Sequence, residues 1–120
     1  MTIYNTAFTA PHHEAARVGQ QILEQGGTAC EAMVAAAAMV AVQYPHMNSL
    51  GGDSFWLIAK AGEAPIAIDA CGRAAQQIDV AAYRRLGESL PDRGGEAAIT
   101  MAGTISGWDL ALQQNPGGTH

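Results

Sequence analysis

Residues 28–53 read TACEAMVAAAAMVAVQYPHMNSLGGD, and this stretch decides the fold of the chain. Thr28 and Glu31 have the spacing of a capping box, in which each side chain accepts the other residue's backbone amide. The helix that follows is apolar on every side as far as Val42, and such a helix is buried all round. Pro45 ends it. A globule of 120 residues could hardly surround this helix, so the segment predicts additional protein mass around it.

A second helix is predicted just before this stretch, over residues 12–25. Pro11 stands where helices often begin, and the apolar and small residues that follow it recur at helical spacing. The pair Gly26-Gly27 is typical of a helix C-terminus.

Two apolar strands are predicted after the decisive stretch. Residues 54–60 read SFWLIAK and residues 65–70 read PIAIDA, and the AGEA turn between them indicates a hairpin over residues 54–70. Asp79 is predicted to cap a short helix ending at Leu86, and Ser106 a last helix over residues 107–113. The expected class is therefore α+β, with an antiparallel sheet packed against helices in a single unit, residues 1–120.

The composition excludes several function classes. The formal net charge is −5 and the six basic residues are scattered, which argues against nucleic-acid or anionic-membrane partners. The longest apolar run, residues 32–42, is much shorter than the roughly 20 residues that span a bilayer. No targeting signal is recognisable at the start, so a cytoplasmic protein is expected.

Neither a metal site nor a reactive cysteine is the favoured interpretation. The candidate ligands do not form a CxxC, HxxxH or HxH pattern, and we predict no metal. They are His12, His13, His46, His120, Cys30 and Cys71. Both cysteines lie in apolar or small-residue stretches and are expected to be buried free thiols, with a disulfide or a reactive thiol as alternatives.

Three further features could carry chemistry. The pair Gly51-Gly52 lies between a helix and a strand, the reverse of a phosphate loop, and favours a tight structural connection. Thr2 would become N-terminal on removal of Met1 and could then act as a nucleophile, although simple trimming is the commoner case. Arg73 follows the second strand among small residues and could present its planar fork to a carboxylate. A pair with Asp69 or an exposed strand-end arginine explains Arg73 equally well.

Four segments then share an order and a spacing that point to one family. They read TAPH with QILEQGGTA (9–12 and 21–29), YPHMNSLGGDSF (44–55), DACGRA (69–74) and MAGTISGW (101–108). The set resembles the gamma-glutamyltransferase family of N-terminal-nucleophile hydrolases. The corresponding patterns there are A-x-H-P with I-L-x-x-G-G-N-A, E-P-H-x-x-G-I-G-G-G-x-F, D-G-x-x-R-A-P and V-P-G-T-V-x-G. Each segment alone is weak, whereas the ordered set is specific.

The resemblance implies an architecture and a mechanism. Family members are precursors of several hundred residues that cut themselves, and the new N-terminal Thr of the small subunit attacks an amide carbonyl to form an acyl-enzyme. The implied fold is a four-layer αββα sandwich, of which residues 1–120 are the N-terminal part of the large subunit. Arg73 matches the large-subunit arginine that holds the substrate carboxylate and so orients the scissile carbonyl. No cofactor is implied.

The sequence departs from the family pattern at several positions. The Thr-Thr-His-x-Ser motif and the oxyanion-hole glycines of the small subunit are absent from residues 1–120, so no catalytic residue is predicted here. The expected partners are that missing small subunit and a small-molecule amide, either a gamma-glutamyl compound or an oxamate-like amide. Leu50 and Asp53 alter the usual loop, and Ala75 replaces a proline. The alternative function is a non-catalytic binding or interaction module that reuses the half-fold.

Overall fold

Within residues 5–114 the fold consists of four α-helices and one antiparallel hairpin, and it confirms the predicted α+β class. The computed structural model describes residues 5–114. In chain order the elements are α1 (His13–Glu24), α2 (Ala29–Gln43), β1 (Ser54–Ile58), β2 (Ile66–Ala70), α3 (Val80–Leu86) and α4 (Thr104–Gln114), with a single 3-10 turn at Gly95–Ala97 before α4.

The starts of the first two helices follow from local side-chain chemistry. The predicted capping box of α2 is present, with Glu31 N donating to Thr28 Oγ1 at 3.2 Å and Thr28 N to Glu31 Oε2 at 2.7 Å. Helix α1 begins one residue later than predicted, because the His12 side chain serves as its N-cap and accepts the Glu14 amide at 3.3 Å. Asp79 caps α3 as predicted.

Helices α1 and α2 pack side by side and form the main core. Its buried members are Ala15, Ala36 and Val40, with partly buried apolar residues packed around them. Small residues at the contact let the two helix backbones approach closely. The aromatic ring of Phe8 fills the space beside Gly19, where a side chain would collide with it.

Helix α2 is only partly buried, contrary to the expectation of burial all round. Cys30, Ala32, Ala36 and Val40 are buried, whereas Met33 is 45% exposed and Val42 is 72% exposed. The accessible surface of 8936 Å² exceeds the roughly 6,200 Å² expected for a compact monomer of this mass. The radius of gyration, 18.1 Å, likewise exceeds the roughly 14 Å of a compact domain. Large apolar faces therefore lie open.

The hairpin is covered on one face and exposed on the other. Its strands pair antiparallel, from Ser54 opposite Ala70 to Ile58 opposite Ile66. Helix α4 packs on the hairpin face that carries Ser54 and Ala70, and these two side chains lie against Gly107 of the helix. On the other face Phe55 is 70% exposed and Leu57 is 77% exposed, so β1 is not the fully buried strand that its composition suggests.

Helix α4 begins earlier than the sequence indicated. It starts at Thr104, and Ser106 lies within its first turn, where the Ser106 hydroxyl donates to the Gly103 carbonyl at 2.8 Å. Ser106 is therefore not the N-cap. Within residues 5–114, none of the helices has the length and apolar content needed to cross a membrane.

Candidate functional site

Three loops meet at one end of the hairpin and form what we call the loop junction, made of residues 51–53, 71–74 and 100–104. Antiparallel pairing places Ser54 opposite Ala70, so the residues before β1 lie beside those after β2. Packing of α4 on both strands brings the residues before that helix to the same place. The junction thus joins the second, third and fourth segments of the family pattern.

The Gly52 carbonyl is the centre of the junction. It accepts the Gly103 amide at 2.9 Å, the Thr104 amide at 3.0 Å and the Thr104 hydroxyl at 2.7 Å. The first amides of a helix have no partner within the helix, so a carbonyl at the N-terminal end of α4 satisfies donors that would otherwise need water. This contact fixes the loop before β1 to the N-terminus of α4.

Two carboxylates hold the chain that leads to Arg73. Asp53 Oδ1 accepts the Gly72 amide at 3.3 Å, and Asp69 Oδ1 accepts the Cys71 amide at 3.0 Å. On the far side, the Arg73 carbonyl accepts the Met101 amide at 3.0 Å. Ala74 then forms an isolated antiparallel bridge with Thr100. The Arg73 backbone is therefore held from both sides.

Close contacts explain Gly72 and Gly103 at the junction, and Gly107 in helix α4. A side chain at Gly72 would collide with the Met101 carbonyl, and one at Gly103 with the Ala70 carbonyl. A side chain at Gly107 would collide with the Ser54 hydroxyl. These three positions tolerate no Cβ, because protein interiors leave no spare volume at such distances.

The Arg73 side chain itself is exposed. Within residues 5–114 it makes no hydrogen bond or ion pair, and Asp69 is engaged with the Cys71 amide instead. The sequence offered two explanations of Arg73 without a functional role. The pair with Asp69 is excluded here, and the exposed strand-end arginine agrees with the structure. A guanidinium on a fixed backbone, with all its donors unused, can bind a carboxylate.

The two cysteines differ in their surroundings. Cys30 is buried, as predicted, and burial raises the pKa of its thiol. Cys71 is exposed, contrary to the prediction, in the segment that follows β2. A hydrogen bond to the Asp69 carboxylate, with burial and the Asp53 charge adding to it, raises the pKa of Cys71 to about 11. Cys71 is therefore a neutral thiol near pH 7, which is a poor nucleophile.

His12, His13 and His46, three of the candidate ligands, lie beside other aromatic rings. The rings of His12 and His13 are 4.4 Å apart at the start of α1, and the His46 ring meets Tyr44 edge-on at 4.4 Å after α2. Among the residues described, no group of three or more His, Cys, Asp or Glu side chains could hold a metal ion. Thr2 and His120 fall outside the described residues.

A groove of about 280 Å³ opens beside the junction, between α2, β1 and α4. Asp53, Thr104 and Trp56 are among its lining residues. The buried Ser54 hydroxyl and Trp56 Nε1 make no hydrogen bond to any other residue in the described part of the chain.

Sequence reasoning did not identify Asp53 or Thr104 as residues of the site. The sequence marks Asp53 only as a departure from the family loop, and Thr104 only as part of a matching segment. The available signal was that the matching segments contain glycines at Gly52, Gly72 and Gly103, which is typical of places where backbones meet.

Comparison with known proteins places these features in one family. The sequence model of the family described as gamma-glutamyltranspeptidase matches residues 15–115. The chain is 55% identical over 104 residues to the oxamate amidohydrolase proenzyme of Klebsiella pneumoniae. This match covers 87% of the chain and 20% of that protein. It is 39% identical over 107 residues to the glutathione hydrolase-like YwrD proenzyme of Bacillus subtilis, which covers 88% and 20% respectively. The chain thus spans about a fifth of the length of these relatives.

Solved structures agree with the sequence comparison. The gamma-glutamyltranspeptidase of Pseudomonas nitroreducens complexed with L-DON superimposes with a TM-score of 0.75 at 30% identity, over 94% of this chain and 34% of that one. The gamma-glutamyltranspeptidase of Helicobacter pylori gives a TM-score of 0.82 at 25% identity, over 96% and 34%. The described elements therefore have the arrangement of one part of a larger hydrolase.

Proposed function

This chain belongs to the gamma-glutamyltranspeptidase family, and from that premise we propose that residues 1–120 are the N-terminal part of the large subunit of a self-processing amidohydrolase. The observation that carries the proposal is the 55% identity to the oxamate amidohydrolase proenzyme over 104 residues. The open apolar faces at Phe55 and Leu57 support it, since they suit contact with further layers of the same protein.

The chemistry requires a nucleophile from outside residues 1–120. In the proposed mechanism, self-cleavage of the precursor exposes the N-terminal Thr of a small subunit, whose amine removes the hydroxyl proton. The hydroxyl oxygen attacks the substrate's amide carbon, the amine leaves with a proton, and an ester to the enzyme remains. Water then hydrolyses this ester. No metal or other cofactor enters these steps.

Arg73 is the residue of this chain that we assign to the substrate. Its exposed guanidinium would form a bidentate pair with the substrate carboxylate and so orient the scissile carbonyl toward the Thr. The fixed Arg73 backbone supports this role, because a clamp that is already ordered loses less entropy on binding.

We favour an oxamate-like amide over a gamma-glutamyl compound as substrate. Identity to the oxamate amidohydrolase is 55%, against 39% for the relative named glutathione hydrolase-like. In oxamate the carboxylate is bonded directly to the amide carbon, so a single arginine would hold the whole substrate. Hydrolysis would release ammonia and oxalate.

The precursor that contains these 120 residues provides the test. We expect it to separate into two subunits, the smaller beginning with Thr in its N-terminal sequence, and to release ammonia from oxamate faster than p-nitroaniline from gamma-glutamyl-p-nitroanilide. Faster turnover of the anilide would move the substrate to the gamma-glutamyl class. Turnover of neither compound, with an intact mass near 12.5 kDa, would favour a binding module without catalysis.

The cellular location is part of the same proposal. The free thiols of Cys30 and Cys71 suit a reducing compartment, and we therefore place the enzyme in the cytoplasm. Cell fractionation of the source organism would contradict this if the protein were recovered outside the cytoplasmic fraction.

A further inference from the structure

We propose that Asp53 is a positioning residue that orients Arg73 for the substrate carboxylate, an inference that rests on the function proposed above. Asp53 is 20 positions before Arg73 in the chain and lies on a different loop. It stands at one of the two positions where this chain's loop departs from the family pattern.

The backbone that carries the Asp53 side chain is held in place by hydrogen bonds. The preceding carbonyl, that of Gly52, accepts two amides and one hydroxyl from Gly103 and Thr104, at 2.7 to 3.0 Å. The Thr104 hydroxyl also lies 3.4 Å from the Asp53 carbonyl. Since the backbone on this side is tied to a helix N-terminus, the direction of the Asp53 side chain is constrained.

The carboxylate then reaches the residue next to Arg73. Asp53 Oδ1 accepts the Gly72 amide at 3.3 Å, and this bond holds the Cys71–Gly72 peptide, one residue before Arg73. Gly72 has no room to shift toward the third loop, because the Met101 carbonyl occupies the place of a Cβ. The Arg73 carbonyl is held in turn by the Met101 amide at 3.0 Å.

These contacts leave the side chain of Arg73 as the free part of an otherwise fixed segment. Loss of the Asp53 acceptor would release the Gly72 peptide and let the base of the Arg73 side chain move. An arginine that must be ordered on binding holds a carboxylate less tightly, so the effect belongs to substrate capture rather than to the chemical step.

Steady-state kinetics with oxamate on the processed, full-length enzyme would test the inference. We expect Asp53→Ala to raise KM about tenfold with kcat within about twofold of the parent value. Asp53→Asn keeps an oxygen that accepts the Gly72 amide and should restore KM to within about twofold. A parent-like KM in Asp53→Ala, or an Asp53→Asn variant as impaired as Asp53→Ala, would overturn the proposal.

Ser49→Ala is the matched control in the same loop. The Ser49 hydroxyl accepts the Gly51 amide at 3.3 Å, which is also a backbone amide bonded to a side-chain oxygen at the same distance, but it makes no hydrogen bond to residues 71–74. Its removal should leave KM unchanged. An equal rise of KM in Ser49→Ala would show that any loosening of the loop has this effect, and the proposal would fail.

Two further measurements keep the inference separate from protein stability and from the proposed function. If Asp53→Ala does not fold, Asp53→Ser, whose hydroxyl is too short to reach Gly72, should show the same rise in KM, and a parent-like KM would overturn the proposal. Calorimetric titration of the parent enzyme with oxalate, the product of the proposed reaction, reports carboxylate binding without turnover. If the parent enzyme neither hydrolyses oxamate nor binds oxalate, the proposed function and this inference both fail. If it binds oxalate and Asp53→Ala binds it equally tightly, only the inference fails.

Discussion

The Gly52 carbonyl accepts both the backbone amide of Thr104, at 3.0 Å, and its side-chain hydroxyl, at 2.7 Å. These residues are 52 positions apart, and their contact joins the loop after α2 to the first turn of α4. This contact also bears on Arg73. The residue after Gly52 is Asp53, whose carboxylate accepts the amide of Gly72, next to Arg73.

Substitution of Arg73 should weaken substrate capture in the full-length enzyme. We expect Arg73→Ala to lower kcat/KM for oxamate about 100-fold, because a charge-assisted pair is lost. Arg73→Lys keeps the charge without the planar fork, so its kcat/KM should lie between those of the parent enzyme and Arg73→Ala. Arg84→Ala, at an exposed arginine in the last turn of α3, is the control and should match the parent enzyme. An unchanged kcat/KM in Arg73→Ala would remove this residue from the site.

A side chain at Gly103 should destabilise the loop junction. Gly103→Ala places its methyl group against the Ala70 carbonyl, and the backbones must separate to admit it. We expect the free energy of unfolding of the full-length protein to fall by about 2 kcal/mol or more. Gly95→Ala, which meets open space, should change it by less than about 0.5 kcal/mol. Equal melting temperatures for the two variants would contradict the observed packing.

The Cys71 thiol should react slowly with iodoacetamide below pH 9. With a pKa of about 11, only about one thiol in a thousand is ionised at pH 8, whereas an ordinary cysteine is roughly a quarter ionised. Asp69→Asn removes the carboxylate that favours the protonated thiol, so the pKa should fall and alkylation at pH 8 should accelerate. Asp92→Asn, at an exposed site in another loop, is the control.

Peptide-resolved mass spectrometry across pH 7 to 11 would measure these rates for Cys71 alone. The parent rate should keep rising to the top of this range. A plateau near pH 9 in the parent protein would show that the carboxylates do not hold the proton.

The 120-residue chain on its own should be inactive and should self-associate. Phe55 and Leu57 form an exposed apolar face on the hairpin, and such faces associate in water. Sedimentation velocity should show oligomers that the double substitution Phe55→Ser and Leu57→Ser reduces. Met47→Ser removes an equally exposed side chain from a loop and should have little effect. A monomeric parent chain that hydrolyses oxamate would contradict both expectations.

Local features of the fold could be predicted from the sequence because their causes are local. Thr28 and Glu31 are three residues apart, so their reciprocal hydrogen bonds need nothing from the rest of the chain. The hairpin follows from two short apolar runs around a turn. The prediction of Ser106 as an N-cap is wrong because the actual start of α4 depends on the distant Gly52 carbonyl.

Burial was less predictable than secondary structure. Helix α2 is apolar on all sides, and the sequence does not indicate which of its sides the described residues cover. The small neighbours of Cys71 predict burial, whereas the residue is exposed in the segment after β2. Burial depends on where distant segments lie, which composition does not encode.

The sequence by itself determined the helices, the hairpin and the family, because hydrophobic period, capping residues and ordered motifs are properties of neighbouring positions. It also singled out Arg73. Only the tertiary structure decided that Gly52, Gly72 and Gly103 meet, that Asp53 holds the segment leading to Arg73, and that Asp69 is not the partner of Arg73. These contacts join residues far apart in the chain, and they form because three backbone segments approach one another closely.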